Sequence, residues 1–282
     1  MGLVQTGKAA AFQTLHQRPG AFVIANPWDA GTARILAALG YAALATTSAG
    51  LAFALGRRDG DRAVTRDETL ANAAAIAAAT DLPVSADLEN GFGDTPEIVA
   101  ETIRLSAETR IVGASIEDSS GDRRSPIYEF ALAVERIAAA AEAAGSLPFS
   151  FCLTARAENF QFDPSDLDGT IRRLQAFAAA GADVLYAPAL PSLEAIRLVC
   201  ASVPKPVNVV MGLGGPWYSV DALADAGVKR ISVGGALIRA ALGGFLRAAR
   251  EIRQQGTFGF VAEAIPFAEA NGYMKTTTPQ VP

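Results

Sequence analysis

Short apolar runs rich in β-branched and aromatic residues alternate with Ala-, Leu- and Arg-rich stretches along most of the chain. The runs begin at Phe22, Ala42, Pro83, Gly113, Phe149, Ala182, Val207 and Arg230. Helical periodicity covers Ala30–Leu39, Thr65–Ala79, Pro96–Thr109, Tyr128–Ala144, Asp166–Ala180, Ser192–Ala201 and Val220–Ala226, and a last helix starts at Ala236. Eight such alternations predict an α/β fold, a parallel (β/α)8 TIM barrel rather than an open sheet. The nearly all-apolar strands fit burial on both faces. Gly181 and Gly227 sit where helices end ahead of strands. The barrel is expected over residues 1–253, with an N-terminal helical lead-in. Gln254-Gln255-Gly256-Thr257 interrupts the last helix, and residues 254–282 read as a helical tail packing on the barrel or on a neighbour.

The stretch from Ala37 to Gly56 is apolar enough to suggest a membrane span. Thr46, Thr47, Ser48 and several glycines divide it instead into a helix end, a buried strand and a loop. Half of the 282 residues are hydrophobic and the net charge is −5, with no Lys/Arg-rich tract. Nucleic acid is therefore not expected as a main partner. Cys152 and Cys200 are the only cysteines and form no zinc or CxxC pattern, which suits a reducing cytoplasm. Met1 to Gly20 lacks the apolar core of a signal peptide. The expectation is a cytoplasmic protein without a membrane partner.

The polar residues narrow the chemistry. The third strand ends in Ser85, Asp87 and Glu89, and alternation places all three on one side. The fourth ends in Ser115 and Glu117. Asp87, Glu89 and Glu117 converging at neighbouring strand ends repel one another unless a positive group lies between them. A divalent cation is the simplest such group, and all-oxygen ligation favours Mg²⁺ or Mn²⁺. The alternative is that these acids merely cap helices and decorate loops. Barrels carry their chemistry at the C-terminal ends of the strands. Asn26, Thr46, Ser48, Thr154, Arg156, Glu158, Tyr186 and Asn208 fall there too. Arg156 reads either as a substrate ligand or as a structural partner of Glu158 or Glu117, and Cys152 as a core filler.

What is missing matters as much. His16 is the only histidine and precedes the barrel, while Lys205 and Lys229 precede strands at the wrong end. Histidine acid–base chemistry is excluded, and a Schiff-base lysine is not expected. A metal, carboxylates, an arginine, hydroxyls and backbone amides remain, a toolkit for an enolate-like transition state. Gly212-Leu213-Gly214-Gly215 and Gly234-Gly235-Ala236 offer a phosphate-binding alternative after the last two strands.

Thr46-Thr47-Ser48-Ala49-Gly50, Leu55-Gly56-Arg57-Arg58-Asp59, Ser85 to Gly93, Ser115-Ile116-Glu117-Asp118 and Thr154-Ala155-Arg156 follow one another on successive strands. In that order, from about Phe22 to Ala262, the chain resembles the isocitrate lyase/phosphoenolpyruvate mutase superfamily. The resemblance implies a dimer or tetramer whose barrels exchange their eighth helix. It implies Mg²⁺ (or Mn²⁺) near Asp87, Glu89 and Glu117, partly through water. It implies a substrate site made by Thr47, Ser48, Ala49, Gly50, Asp87, Arg156, Tyr186 and Asn208, with hydroxyl and N–H groups turned to a 2-oxo carboxylate. Asp59, Arg156 and Glu117 are the implied catalytic residues, Asp59 near the reacting carbon.

The loop Ser119 to Tyr128 departs from the pattern. It has neither the Lys-x-Cys-Gly-His motif of isocitrate and methylisocitrate lyases nor the Lys–Asn pair of the mutases. The expected function is a Mg-dependent lyase of a small 2-oxo or 2-hydroxy carboxylate, oxaloacetate-like, acting by C–C cleavage or decarboxylation. Arg123 or Arg124 is expected to close over a second carboxylate. The alternatives are a C–P bond enzyme of the same superfamily and a non-catalytic 2-oxo-acid binder.

Overall fold

A computed structural model describes residues 3–275; the tail beyond Lys275 lies outside them. Eight parallel strands form the barrel: β1 Phe22–Ile24, β2 Leu44–Ala45, β3 Val84–Asp87, β4 Gly113–Glu117, β5 Cys152–Arg156, β6 Val184–Tyr186, β7 Val207–Val210 and β8 Arg230–Ser232. They hydrogen-bond in the order β1-β8-β7-β6-β5-β4-β3-β2. A single parallel bridge, Ala25 to Leu44, closes the ring between β1 and β2. Asn26 strengthens that seam. Its Nδ2 donates to the Thr46 carbonyl, and its Oδ1 accepts from Val233 and Gly234 N–H.

The helices are α1 Leu3–Gln17, α2 Ala30–Ala38, α3 Ser48–Ala54, α4 Arg66–Ala78, α5 Pro96–Glu108, α6 Phe130–Gly145, α7 Asn159–Phe162, α8 Leu167–Ala179, α9 Leu193–Ser202, α10 Val220–Asp225, α11 Ala236–Gln255 and α12 Phe267–Tyr273. Side-chain caps fix where many of them start. Asp29 and Thr65 close capping boxes, and Thr47, Asp166, Ser192 and Ser219 each accept a first-turn N–H.

Two short helices differ from the sequence reading. The expected loop at Ser48 is the first turn of α3, and α7 follows directly after β5. Strand β5 is also shorter than the run from Phe149 to Glu158 suggested.

Strand alternation sorts the core. Val84, Ala86, Ala114, Ile116, Leu153, Ala155, Leu185, Val207, Val209 and Ile231 face the helices in one apolar layer. Ser85, Ser115, Thr154, Asn208, Arg230 and Ser232 have the opposite parity. A barrel lumen is ordinarily filled by branched apolar side chains; here its middle is polar.

Helix α1 covers the N-terminal end of the barrel. Its Phe12, Ala9 and Leu15 pack with Phe22, Ile24 and Val112. Gly113 permits this closure, since a Cβ there would lie 2.7 Å from the Cys152 carbonyl and 3.2 Å from the Phe12 ring. Gln5 donates to the carbonyls of Ala107 and Ile111. At the far end of the chain, α11 stops at Gln255 before left-handed Gly256. Helix α12 comes back to α2, where Arg34 donates to the Met274 carbonyl at 2.6 Å.

Candidate active site

A cavity of about 330 Å³ opens at the C-terminal ends of the strands. Asp59, Asp87, Glu89, Glu117, Arg156, Tyr186 and Asn208 all line it, with Thr47, Ser48 and Ala49. Every metal, substrate and catalytic residue that the family resemblance implies, except Gly50, therefore meets in one place. Gly50 instead packs behind the site. A Cβ there would sit 2.5 Å from Thr47 Cγ2 and 2.9 Å from Trp28 Cβ. Thr47 lines the wall but uses its hydroxyl to cap α3, accepting the Gly50 N–H at 3.3 Å. A larger hollow of about 750 Å³ lies at the opposite end, beneath α1, among His16, Phe149, Cys152 and Lys205. Its thiol is inert, since burial pushes Cys152 up to about 12, and the convergent acids are all at the other end.

Helix α3 aims its first turn at Asp87. The Ser48 N–H and Oγ both donate to Asp87 Oδ2, at 3.1 and 2.9 Å. Thr46 Oγ1 accepts the Asp87 N–H at 2.9 Å. A helix N-terminus stabilises a nearby negative charge. Alternation explains Asp87 but not Glu89: the strand ends at Asp87, and Glu89 enters the same mouth through a left-handed backbone, φ 48°.

The positive group among the acids is Arg156. Its guanidinium reaches Asp87 at 3.2 Å, Glu117 at 3.2 Å and Glu158 at 2.7 Å. It lies 4.8 Å from the centre of the Tyr186 ring. The two sequence readings of Arg156 thus coexist, because it borders the cavity and holds a buried ion-pair cluster together. Glu158, only 3% exposed, is the best buried member. Asp118 fixes it from behind by accepting the Glu158 N–H at 2.7 Å, and Arg173 holds Asp118 at 3.1 Å.

One guanidinium does not neutralise this mouth. Burial, then the Asp87 and Asp59 charges, push Glu89 up to about 7. Burial holds Glu117 well above the carboxylate range, against the pull of Arg156. Asp59 is raised by burial and by Asp87. The expected cation site is tested by this donor set. The oxygens suit a hard divalent cation, and the surplus of unneutralised carboxylates is what such an ion would relieve. Among the described residues, however, no three His, Cys, Asp or Glu side chains already stand at ligand spacing. The donor chemistry fits a hard cation, while the side chains do not by themselves form a closed coordination shell.

The loop Ser119 to Tyr128 folds as a small hairpin. Ser119 pairs with Ile127, and Ser120 N–H donates to the Pro126 carbonyl at 2.8 Å. Tyr128 anchors its end between Asp94 and Asn90. Of this loop only Ser119 lines the cavity. Arg123 lies 88% exposed, 3.9 Å from Asp61, and Arg124 is exposed. Neither lines the cavity in this structure, so the expected closure of one of them over a carboxylate is a movement this open arrangement leaves to be made. Of the glycine turns, Gly234, Gly235 and Leu213 border the cavity. Sequence reasoning missed Gln161 and Phe162 of α7 at the rim, and Arg230 in the lumen. Arg230 carries a readable signal, the same parity as Ser232 on β8.

The described residues contain no helix long and apolar enough to cross a membrane. The family model for phosphoenolpyruvate phosphomutase matches residues 12–253. A solved structure of a Burkholderia cenocepacia J2315 protein, provisionally described as a lyase/mutase, is 56% identical with a TM-score of 0.95, covering 98% of each chain. An uncharacterised Mycobacterium tuberculosis protein is 31% identical, over 92% of this chain and 94% of its own. The 2-methylisocitrate lyase of Bacillus subtilis is 28% identical, over 79% of this chain and 74% of its own. With the barrel, the strand-end acids and Arg156 in place, the chain belongs to the phosphoenolpyruvate phosphomutase family and is an enzyme of the isocitrate lyase/phosphoenolpyruvate mutase superfamily.

Proposed function

We propose that the protein is a Mg²⁺-dependent lyase of a small 2-oxo or 2-hydroxy carboxylate, breaking a C–C bond or decarboxylating through an enolate. The observation that carries this reading is the placement of Arg156 beside Asp87 and Glu117 in one walled cavity, facing the N-terminus of α3. Asp87, Glu89 and Glu117 would hold Mg²⁺ (or Mn²⁺), partly through water. When bound, the ion supplies positive charge to the developing enolate oxygen.

The protein's own groups do the rest. Arg156 presents a planar fork to the substrate carboxylate. The Ala49 N–H at the first turn of α3 orients the 2-oxo group, while the Ser48 hydroxyl and N–H hold Asp87 in place beside it. Asp59, lining the cavity with its carboxyl raised above the usual range, faces the reacting carbon and can hold or deliver a proton there. The 2-methylisocitrate lyase relative supports C–C cleavage as the reaction class. The absence of Cys, Lys and His from Ser119 to Tyr128 separates this chain from cleavage of isocitrate-type substrates that rely on a loop cysteine. Isothermal calorimetry tests the site: a 2-oxo acid should bind in Mg²⁺ and fail to bind in excess EDTA. Equal affinity in both would overturn the metal assignment.

The same reading makes the protein a homo-oligomer in the cytoplasm. Of α11 only Ile238 is buried, while Phe245 is 68% and Leu246 46% exposed. A twenty-residue helix with an apolar stripe and little barrel contact is suited to lie on a second copy.

A further inference from the structure

Among the described residues, only two buried side-chain nitrogens or oxygens lack a hydrogen-bond partner: His16 Nε2 and Arg230 Nη1. Arg230 stands at the start of β8, is 5% exposed and lines the active-site cavity. Its Nε donates to Asn208 Oδ1 at 2.8 Å and its Nη2 to Thr154 Oγ1 at 2.8 Å. A guanidinium has five N–H donors, so most of this fork is unused. Arg230 also enters none of the ion pairs found among the described residues. The ionisable groups that act on its charge are Cys152 and Tyr186, both kept neutral by burial. Arg156, by contrast, has three carboxylates around it.

A buried cation without a counter-ion is costly to fold around. A ligand anion removes that cost, and the cavity brings one within reach. Arg230 contacts Thr154, which lies two residues below Arg156 on β5, a step of about 6.6 Å along the strand. That depth matches the separation between the two ends of a four-carbon acid. The walls at this level are Ser85, Ser115, Asn208 and Ser232, all able to donate hydrogen bonds.

We propose that Arg230 is the receptor for a second anionic group on the substrate, so that the cavity selects dianionic acids over monocarboxylates. This rests on the 2-oxo-acid reading above and replaces the exposed Arg123 and Arg124 with a buried residue in that role. The second group is a carboxylate or a phosphonate; both offer several acceptor oxygens to the free N–H donors.

Matched pairs of probes test it: lactate against malate, and pyruvate against phosphonopyruvate, each titrated in Mg²⁺ at constant ionic strength. The wild-type protein should bind the dianion of at least one pair about tenfold or more tightly than its monoanion. The pair that shows the preference identifies the carboxylate or the phosphonate. In Arg230→Gln that ratio should collapse toward one, and in Arg230→Lys it should fall part of the way. A wild-type protein without preference, or a preference undiminished in Arg230→Gln, overturns the proposal. If Arg230→Gln does not fold, an undiminished ratio in Arg230→Lys overturns it. Turnover enters neither measurement. Absent cleavage with an Arg230-dependent preference would sink the lyase reading and leave the subsite standing. Cleavage with a preference indifferent to Arg230 would do the reverse.

Discussion

The Nη2 of Arg156 lies 2.7 Å from the carboxylate of Glu158, two residues further along the chain and almost wholly buried. The same guanidinium touches Asp87 and Glu117 across the barrel mouth. One residue therefore ties three loop beginnings together and faces the ligand cavity. Arg156→Lys keeps the charge but loses the fork. It should weaken 2-oxo-acid binding by about 2 kcal/mol and also lower unfolding stability by about 1–2 kcal/mol. Calorimetry and urea unfolding on the same preparation measure both; intact affinity would remove Arg156 from the binding site.

Gly50 acts on the site at one remove. Gly50→Ala drives a methyl into Thr47 and Trp28 and must displace the first turn of α3. The expected cost is about 1–3 kcal/mol of stability, with a loss of ligand affinity because Ser48 moves from Asp87. Thermal melts with and without ligand should show both effects. A variant as stable as the parent would mean that α3 tolerates the shift.

His16 gives the fold a pH dependence unrelated to catalysis. Its Nδ1 donates to the Phe12 carbonyl at 2.8 Å and its ring is wedged edge-on between Phe12 and Phe22. Burial, with Arg230 adding to it, lowers its pKa from 6.5 to about 4. Between those values the unfolded chain binds the extra proton, so this contribution is intact above about pH 6.5 and is lost as pH falls toward 4. Buried acids with raised pKa, such as Asp118 at about 6, act with the opposite sign. Comparison with His16→Phe isolates the histidine. The variant should gain on the parent by up to about 3 kcal/mol as pH drops through that window. A pH-independent difference in unfolding free energy would contradict the assignment.

Assembly through α11 has its own readout. Sedimentation should find a dimer or tetramer, and Phe245→Asp on the exposed stripe should shift it toward monomer. A wild-type monomer would remove the helix-exchange reading without touching the barrel.

The barrel was legible in the sequence because eight short apolar runs alternate with helical stretches, many of which carry their own caps. Parity alone put Ser85, Asp87, Ser115, Glu117, Thr154 and Arg156 into the lumen. Helix α3 was not legible: its residues Ser48–Ala54 are small and apolar, and the same composition fits a strand, a loop or a helix. The four residues of α7 are too few to show a period. Glu89 reaches the mouth by a left-handed turn that alternation does not encode. Spacing showed that the acids call for a positive group and offered Arg156 as a partner of Glu158 or Glu117, but not that it reaches Asp87 as well, since its three partners come from three strand ends. Arg230 starts β8, at the end of the barrel away from the chemistry. The length of its side chain, which spans the lumen to Thr154, is what brings it in.

The most direct measurement of the central claim is product formation from a panel of 2-oxo and 2-hydroxy acids, following pyruvate release, with wild-type protein and Asp87→Ala. Asp87 accepts from Ser48, pairs with Arg156 and belongs to the proposed cation site. The account predicts turnover of at least one acid that stops in EDTA and returns with Mg²⁺ or Mn²⁺. It also predicts that turnover is absent from an Asp87→Ala protein that still folds. No turnover of any acid with either metal, or turnover indifferent to EDTA and to Asp87, would contradict it.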